Sequence, residues 1–574
     1  MPELNLPRES TLKRIADAVE RISMGTPLPQ DNLVTLLFDG TKERYKEVMR
    51  LWFLSNGAEG ADSKTLTALV DKWYSITRIE WDGYTEFYQP SISAVSTGTK
   101  GGDNAGMSCT PSSDTKENND DYAGHPFFAV VDCNWEVDAT TKDVVITAID
   151  GITSNFDRYN TKKYVGVLQM NGYIYTVDGG NTYRFGWTST MKPYANIDAP
   201  FGIKVSDNSF RSWTIHAKYM AHVTDGKLTC CAGVIPTARK VSHNTLHTYA
   251  AANGAQYSGG SITDDSFLKI MAFIKYGSMT LDGILQGCIN HNATNNALVS
   301  ETGVNRILIA ANNTAYPIGS TIIIGVWGSS STSHDRNAAT FYSVSGEDGR
   351  KVVDVQSVTL NGSAYTAIYV DGDSFDTVAN GASVAGTTYI STWHWETGYT
   401  DSVLGNDGSP VSYTNGKYPA KLQGIEYMVG GYEVYADVIL NLTQEGGEYY
   451  YEPYVVRSSG KQSTAITGDY EATGIKLLQP AESSWQYTKK LAYSKGCFFC
   501  CEYEGGSSTT YTRDGAYLNA AAVGTREWLA FGTLSSGAAH GGLSAFHGSH
   551  GLSSAYWNIL ARLSPNGNRG ELSA

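Results

Sequence analysis

Residues 532–564, GTLSSGAAHGGLSAFHGSHGLSSAYWNILARLS, have the most unusual composition in the chain. They contain no Lys, Glu, Gln, Met or Asp, and their single charged residue is Arg562. A Gly/Ser linker is one interpretation, but linkers do not normally carry three His, a Phe, a Tyr and a Trp. Ser and Gly give adaptable hydrogen bonding, and aromatic rings give contact area at low entropic cost. The composition is therefore typical of a ligand-binding surface.

The same stretch shows a second regularity, at the level of codons. Randomising both adenines of Asn codons of the form AA-pyrimidine keeps Asn among the products and yields others that include Ser, His, Tyr, Phe, Gly, Ala, Leu, Ile, Thr and Arg, but never Lys, Glu, Gln, Met or Trp. Every residue of 532–564 except Trp557 belongs to the reachable set. A simple bias towards small residues would produce the same pattern, so both explanations stay open at this point.

The first 80 residues differ from the remainder. They are rich in charge, whereas charged residues make up only 17% of the whole chain. Leu12, Ile15, Val19 and Ile22 recur at helical spacing, and KERYKEVMRLWFL and SKTLTALVDKWYSI continue the helical pattern. We interpret 1–80 as a helical attachment and oligomerisation module. A plain packed helical bundle fits the pattern equally well.

From Trp81 onwards, β-branched and aromatic runs alternate with Gly, Asn and Asp, which predicts strands and turns. A short helical pattern, DDSFLKIMAFIKYG, interrupts them near position 265. The strand-like runs after it form a small β insertion at about 300–390. The chain is long enough for several cores. We expect a mainly β, multidomain protein with α+β parts: the helical module, a β-rich middle domain (81–250) and a C-terminal domain (251–574).

The C-terminal part resembles a known family. REWLAFGTLSSG, GGLSAFHGSHGLSSAYWNILARLS and the terminal NGNRGEL are similar to the variable region of proteins diversified by diversity-generating retroelements. In that family a reverse transcriptase copies a template with errors at adenines and overwrites the end of the target gene. The resemblance covers about 390–574, and residues 200–300 resemble phage tail proteins of this type. It implies a C-type lectin fold of the formylglycine-generating-enzyme type for 251–574.

The resemblance also assigns roles to individual residues. The positions where such templates hold Asn correspond to Ser535, Ser536, His540, Ser544, Phe546, His547, Ser549, His550, Ser554 and Tyr556. We expect these ten side chains to face solvent and to contact the ligand. The scaffold residues implied by the resemblance are Trp528, Trp557, Asn558 and Arg562. Leu560 departs from the family pattern, which usually has Gly there.

No catalytic or metal-binding motif is evident. The chain lacks a P-loop, a G-x-S-x-G elbow and an H-E-x-x-H helix. His243 and His247 have a spacing that suits a metal only on a helix, and their Thr and Asn neighbours favour strand or turn. Cys497, Cys500 and Cys501 do not map onto the reactive site of formylglycine-generating enzymes, and we interpret them as small hydrophobic residues of a buried strand. We expect no enzymatic activity, no cofactor and no metal.

The charge of the chain bears on its partners. A formal net charge of −14 disfavours nucleic acid and anionic membranes. The N-terminus lacks the apolar run of a secretion signal, and no stretch is apolar enough to insert into a membrane. We therefore expect synthesis in the host cytoplasm.

The resemblance implies a phage receptor-binding protein of the tail fibre or tail tip, present in the virion. Its hypervariable surface would bind a bacterial surface protein or glycan without covalent chemistry. We expect a homotrimer that attaches to other virion proteins through its N-terminal region. The alternatives are a head-decoration protein or a bacterial surface adhesin on the same scaffold, and a tailspike polysaccharide depolymerase.

Overall fold

A computed structural model describes residues 41–88, 97–201, 204–206, 209–328, 335–382, 384–480, 484–507, 509–519 and 522–565. Strands dominate this part of the chain, so the predicted mainly β class is confirmed. The predicted helical seam of Leu12, Ile15, Val19 and Ile22 lies outside the described residues.

Four α-helices and three short 3-10 helices lie in the described ranges. They are α1 (Lys42–Ser55), α2 (Ser63–Ile76), α3 (His243–Ala251), α4 (Ile262–Tyr276) and the 3-10 segments Ala339–Tyr342, Tyr399–Ser402 and Ser459–Lys461. The first two coincide with the helical patterns expected before residue 80. Asp62 begins α2 by accepting a hydrogen bond from the backbone of Thr65. The two helices meet through the Trp73 indole, which donates to the Tyr45 hydroxyl at 3.0 Å.

The expectation of strand or turn around His243 and His247 is wrong, because both residues lie on α3. Ser242 and Thr245 form a reciprocal capping box at the first turn, and Leu246 is buried below it. Thr is a residue type that favours turns on average, but Thr245 here helps to begin a helix.

The middle of the chain contains two sheets and two small hairpins. The five-stranded sheet has the order β2-β1-β7-β6-β8, with β1 (Asp82–Tyr88), β2 (Thr99–Gly102), β6 (Tyr173–Asp178), β7 (Thr182–Thr188) and β8 (Asn196–Asp198). The four-stranded sheet has the order β11-β5-β3-β4, with β3 (Val130–Val137), β4 (Val144–Ile149), β5 (Tyr164–Met170) and β11 (Trp213–Ala217). The hairpins pair β9 (Lys204–Ser206) with β10 (Ser209–Phe210) and β12 (Val223–Thr224) with β13 (Lys227–Leu228).

Residues 294–392 contain the strands of the expected insertion. Six of them form the order β15-β22-β18-β19-β20-β17, with β15 (Thr294–Asn296), β17 (Arg306–Ala310), β18 (Thr321–Val326), β19 (Arg350–Leu360), β20 (Ser363–Val370) and β22 (Thr388–Thr392). A further pair joins β16 (Glu301–Val304) to β21 (Phe375–Thr377). Ile307, Ile322 and Ile368 belong to a hydrophobic cluster made only of residues from this region.

A ten-stranded sheet dominates the C-terminal part. Its strands are β25 (Tyr432–Glu445), β26 (Glu448–Val455), β27 (Glu471–Ala472), β28 (Leu477–Leu478), β29 (Gln486–Ser494), β30 (Cys497–Glu504), β31 (Gly515–Tyr517), β32 (Gly524–Ala530), β33 (Phe546–His547) and β34 (Ile559–Leu560). Two pairs lie beside it, β14 (Ser258–Gly259) with β35 (Leu563–Ser564) and β23 (Ala420–Leu422) with β24 (Ile425–Tyr427). The strands β33, β34 and β35 all belong to the stretch 532–564.

One hydrophobic core joins the three predicted segments. A single cluster of buried side chains runs from Tyr45 on α1, through Trp135 on β3 and Phe273 on α4, to Leu563 on β35. Helix α4 lies inside this core, with all but its last residue buried. The helical module, the middle strands and the C-terminal sheet therefore pack against each other. Among the described residues, no helix is both long and apolar enough to cross a bilayer.

Candidate ligand-binding surface

The end of the stretch 532–564 is fixed by a buried ion pair. The Arg562 guanidinium lies 3.1 Å from the carboxylate of Glu433 on β25 and also donates to the backbone carbonyls of Ala217 and Glu426. Burial raises the pKa of the Glu433 carboxyl, and the neighbouring guanidinium opposes that effect. Arg562 is thus held on three sides, as expected for a scaffold residue.

A second buried carboxyl fixes the middle of the stretch. Asp514 accepts hydrogen bonds from the backbone N–H of Ser544 at 2.6 Å and from the hydroxyl of Thr280 at 3.1 Å. The Ser544 hydroxyl donates to the backbone carbonyl of Met279. A Cβ at Gly542 would lie 2.1 Å from an Asp514 oxygen, so only glycine allows this close approach. Burial raises the pKa of Asp514 to about 8.

The expectation that Ser544 and Phe546 face solvent is wrong. Ser544 is 3% exposed and Phe546 is 1% exposed. The Phe546 ring stacks on the buried Trp528, with centroids 4.5 Å apart. Phe546 and His547 are consecutive on β33, and successive side chains of a strand point to opposite faces. The strand therefore directs Phe546 into the core and His547 towards the outer side.

Six aromatic rings form a connected row along that outer side, which we call the aromatic ladder. Its members are His540, Trp485, Tyr517, His547, His550 and Tyr556. The centroid distances between successive rings in that order are 4.5, 5.1, 4.8, 4.6 and 4.9 Å. Such distances are those of stacked or edge-on aromatic pairs. The ladder contains no Lys, Arg, Asp or Glu side chain.

Seven of the ten predicted contact residues reach the surface in and around this ladder. Ser535 and Tyr556 are exposed, whereas Ser536, His540, Ser549, His550 and Ser554 are half-exposed. Tyr556 is the only large side chain of 532–565 among the strongly exposed apolar residues, at 39%. The expectation that His547 faces solvent is also wrong, because the residue is only 9% exposed and lies beneath its neighbours. The surface thus consists of hydroxyl groups and the edges of rings.

Burial favours the neutral form of the three imidazoles in the ladder. Burial lowers the pKa of His547 to about 3, with a smaller contribution from the adjacent His550. Burial also lowers the pKa of His540 and of His550. A neutral imidazole offers one hydrogen-bond donor and one acceptor. The Nδ1 atom of His547 is buried and has no hydrogen-bond partner among the described residues.

Sequence reasoning missed Trp485 and Tyr517. Both lie outside 532–564, Trp485 immediately before β29 and Tyr517 on β31. The pairing of β31 with β33 places Tyr517 opposite His547. No local pattern in the sequence marks either residue as part of a surface. The contact arises from strand pairing between distant parts of the chain.

Two other expected scaffold residues, Trp557 and Asn558, lie at one end of the surface. Trp557 is half-buried, and the guanidinium of Arg336 lies 4.4 Å from its ring centroid. The Trp557 backbone N–H donates to the side chain of Asn337, and the Asn558 carbonyl accepts from the backbone of Tyr432. The insertion therefore contacts the end of the stretch next to Tyr556.

The cysteines of the C-terminal sheet are not poised as nucleophiles. Cys497 and Cys500 are buried on β30, and burial raises the pKa of the Cys501 thiol to about 11. A thiol with a raised pKa is protonated at neutral pH and reacts slowly.

One cluster of potential metal ligands is already neutralised by a lysine. Within the described ranges, Cys109, Asp120 and Asp407 are the only trio whose ligand atoms all lie within 4.8 Å of one another. The Lys275 ammonium lies 3.1 Å from Asp120 and 2.9 Å from Asp407. It supplies the positive charge that a metal ion would otherwise bring.

No protein-family model matches the chain, and a comparison with characterised proteins finds no match. The geometry of the surface therefore carries the functional argument.

Proposed function

We propose that this protein is a phage receptor-binding protein of the tail fibre or tail tip. Its C-terminal domain would be a lectin-like member of the retroelement-diversified proteins. The stretch 532–564 would bind a bacterial surface protein or glycan through non-covalent contacts. The single observation that carries this proposal is the separation of roles within 532–564. Seven predicted contact residues lie at the surface, whereas Ser544, Phe546 and Arg562 are buried anchors.

That separation is what a changeable binding surface requires. Most substitutions at exposed positions alter stability little, whereas substitutions of buried residues often cost several kcal/mol. Buried Arg562, Ser544 and Phe546 fix the backbone of the stretch independently of the exposed side chains. Ser535, Ser549 and Tyr556 can then be exchanged while the frame keeps its shape. Tyr and Ser are also enriched in antibody binding loops, where Tyr supplies contact area at low entropic cost and Ser supplies adaptable hydrogen bonds.

The composition of the surface indicates a modest affinity for each copy. Hydroxyl groups and ring edges provide hydrogen bonds, but only Tyr556 adds a large exposed apolar side chain within 532–565. A virion that carries several copies would gain affinity through effective concentration. A homotrimer, attached to other virion proteins by the region before residue 80, would provide such repetition.

Competition for host adsorption tests the proposal. Purified protein, pre-incubated with the host bacterium, should lower the adsorption of the phage that encodes it in a dose-dependent way. Immunogold labelling of intact particles should place the protein on the tail. Label on the head, together with unchanged adsorption, would favour a decoration role instead. A near-copy of the codons for 532–564, rich in AAC, beside a reverse transcriptase gene would support the mode of diversification.

A further inference from the structure

Directly beneath the outer end of the aromatic ladder, five buried polar atoms have no hydrogen-bond partner among the described residues. They are His243 Nδ1, His243 Nε2, Asn244 Oδ1, His247 Nε2 and Glu527 Oε1. The Asn244 side chain also interacts with the His243 imidazole. A buried polar atom without a partner costs about 1–3 kcal/mol, so the remaining atoms of His243, His247 and Glu527 require an explanation. Glu527 and His243 are both fully buried, at 0% exposure.

The two histidines have the arrangement of a chelating pair. They lie one helical turn apart on α3, so their side chains project from the same face of the helix. Their ring centroids are 4.7 Å apart, with the planes inclined at 77°. Two imidazoles at positions i and i+4 of a helix can bind one metal ion, as in zinc-dependent proteases.

The carboxylate of Glu527 lies at the N-terminal end of the same helix. Its Oε2 atom accepts a hydrogen bond from the backbone N–H of His243 at 3.2 Å, while its Oε1 atom is unpartnered. The ligand atoms of His243, His247 and Glu527 do not all lie within 4.8 Å of one another. Coordination therefore requires a side-chain rotation. His247 is half-buried as a residue, although its Nε2 atom is itself buried.

We propose that His243, His247 and Glu527 bind a divalent transition-metal ion, with Zn²⁺ the ion that fits this ligand set best. Two imidazole nitrogens and one carboxylate oxygen form a common zinc ligand set with a fourth position for water. The ion would satisfy three of the unpartnered atoms, one from each residue. Neutral imidazoles and an ionised carboxylate are the forms of these side chains that bind a metal.

The site would brace the proposed binding surface from below. The Glu527 backbone N–H donates to the carbonyl of His550 at 3.0 Å, and the Asn244 backbone N–H donates to the carbonyl of Leu552 at 2.9 Å. Fixing Glu527 and α3 to one ion therefore fixes both ends of the turn that carries His550. The metal site does not depend on the identity of the ligand or on the role of the protein in a virion.

Metal titration of the purified full-length chain tests this inference. After dialysis against EDTA, the protein should bind one equivalent of Zn²⁺ in calorimetry, and its thermal midpoint should rise on Zn²⁺ addition. Co²⁺ in place of Zn²⁺ should give the visible absorption bands of a low-coordinate nitrogen/oxygen site. His247→Ala should weaken Zn²⁺ binding by at least about 100-fold, because it removes a direct ligand.

Two further variants keep the test decisive if His247→Ala misfolds. Glu527→Gln keeps the size of the side chain and should also weaken Zn²⁺ binding, whereas His222→Ala, a half-buried histidine elsewhere, should leave it unchanged. Absence of stoichiometric Zn²⁺ and Co²⁺ binding to the wild-type chain would overturn the inference. So would Zn²⁺ binding that is equally tight in folded His247→Ala or Glu527→Gln protein.

Discussion

Phe546 lies almost parallel to Trp528, with ring planes 5° apart and centroids 4.5 Å apart. The next residue, His547, belongs to the aromatic ladder on the opposite side of β33. The boundary between the frame and the proposed binding surface therefore falls between two consecutive residues. Several predictions about stability and binding depend on which side of it a residue lies.

Replacing Phe546 with Ala should lower the free energy of unfolding by about 3–5 kcal/mol, because a buried aromatic ring leaves a cavity. Replacing Tyr556, which is 39% exposed, should change it by only about 0.5 kcal/mol. Chemical denaturation of both variants measures the difference. Equal stability of the two variants would mean that Phe546 does not anchor the stretch.

Replacing Arg562 with Met should destabilise the chain by about 3–5 kcal/mol, because Glu433 would remain buried without its partner. Adding Glu433→Gln should recover part of that loss, since the unpaired charge is then removed. A double-mutant cycle in urea measures the recovery. A double variant less stable than Arg562→Met would contradict the proposed role of the ion pair.

Asp514 should make stability depend on pH. Its pKa is raised from 3.8 to about 8 in the folded chain, so the folded state holds this proton more tightly than the unfolded state. The stability contributed by the protonated Asp514 carboxyl is fully present below the pKa of this group in the unfolded chain. It is lost as the pH rises through the pKa of the group in the folded chain. Between pH 5 and 7 the loss approaches about 1.4 kcal/mol per pH unit.

Asp514→Asn removes this titration and is the matched control. An amide can still accept from the Ser544 N–H and donate to the Thr280 hydroxyl. Denaturation curves at several pH values should give a shallower decline of stability for the variant than for the wild-type chain. Parallel declines would show that Asp514 does not titrate in this range.

Natural diversity at the ten predicted positions should be uneven. Under the proposed mode of diversification, deep sequencing of the gene from related populations should find free variation at the seven surface positions. Position 544 should keep small residues and position 546 large apolar ones, because both side chains are buried. Unrestricted polar variation at 546 would contradict the packing against Trp528.

Some features of the molecule were accessible from the sequence and others were not. The apolar pattern of DDSFLKIMAFIKYG predicted a helix, and α4 occupies Ile262–Tyr276. The composition of 532–564 indicated surface side chains. A position-by-position resemblance, however, does not show how deeply each side chain is buried. It therefore could not separate Phe546 from His547.

Contacts between distant segments of the chain were the second kind of feature that the sequence could not predict. Trp485 lies 47 residues before the start of the stretch at 532, and only the folded sheet brings its ring to 4.5 Å from His540. The helix at His243 was missed for a local reason. The residues Ser242, Asn244 and Thr245 favour turns on average, but here Ser242 and Thr245 cap a helix that packs through Leu246.

The most direct test of the central claim is adsorption measured with surface variants. The triple variant His540→Ala/His550→Ala/Tyr556→Ala leaves out the buried His547, and Tyr88→Ala/Tyr159→Ala removes two rings that are 73% and 66% exposed elsewhere. Binding of each labelled protein to the host bacterium is measured beside its thermal midpoint. We expect the triple variant to lose binding at least tenfold (about 1.4 kcal/mol) with an almost unchanged midpoint, and the control to bind like the wild-type chain. A folded triple variant that binds the host as tightly as the wild-type chain would contradict the claim that this surface recognises the receptor.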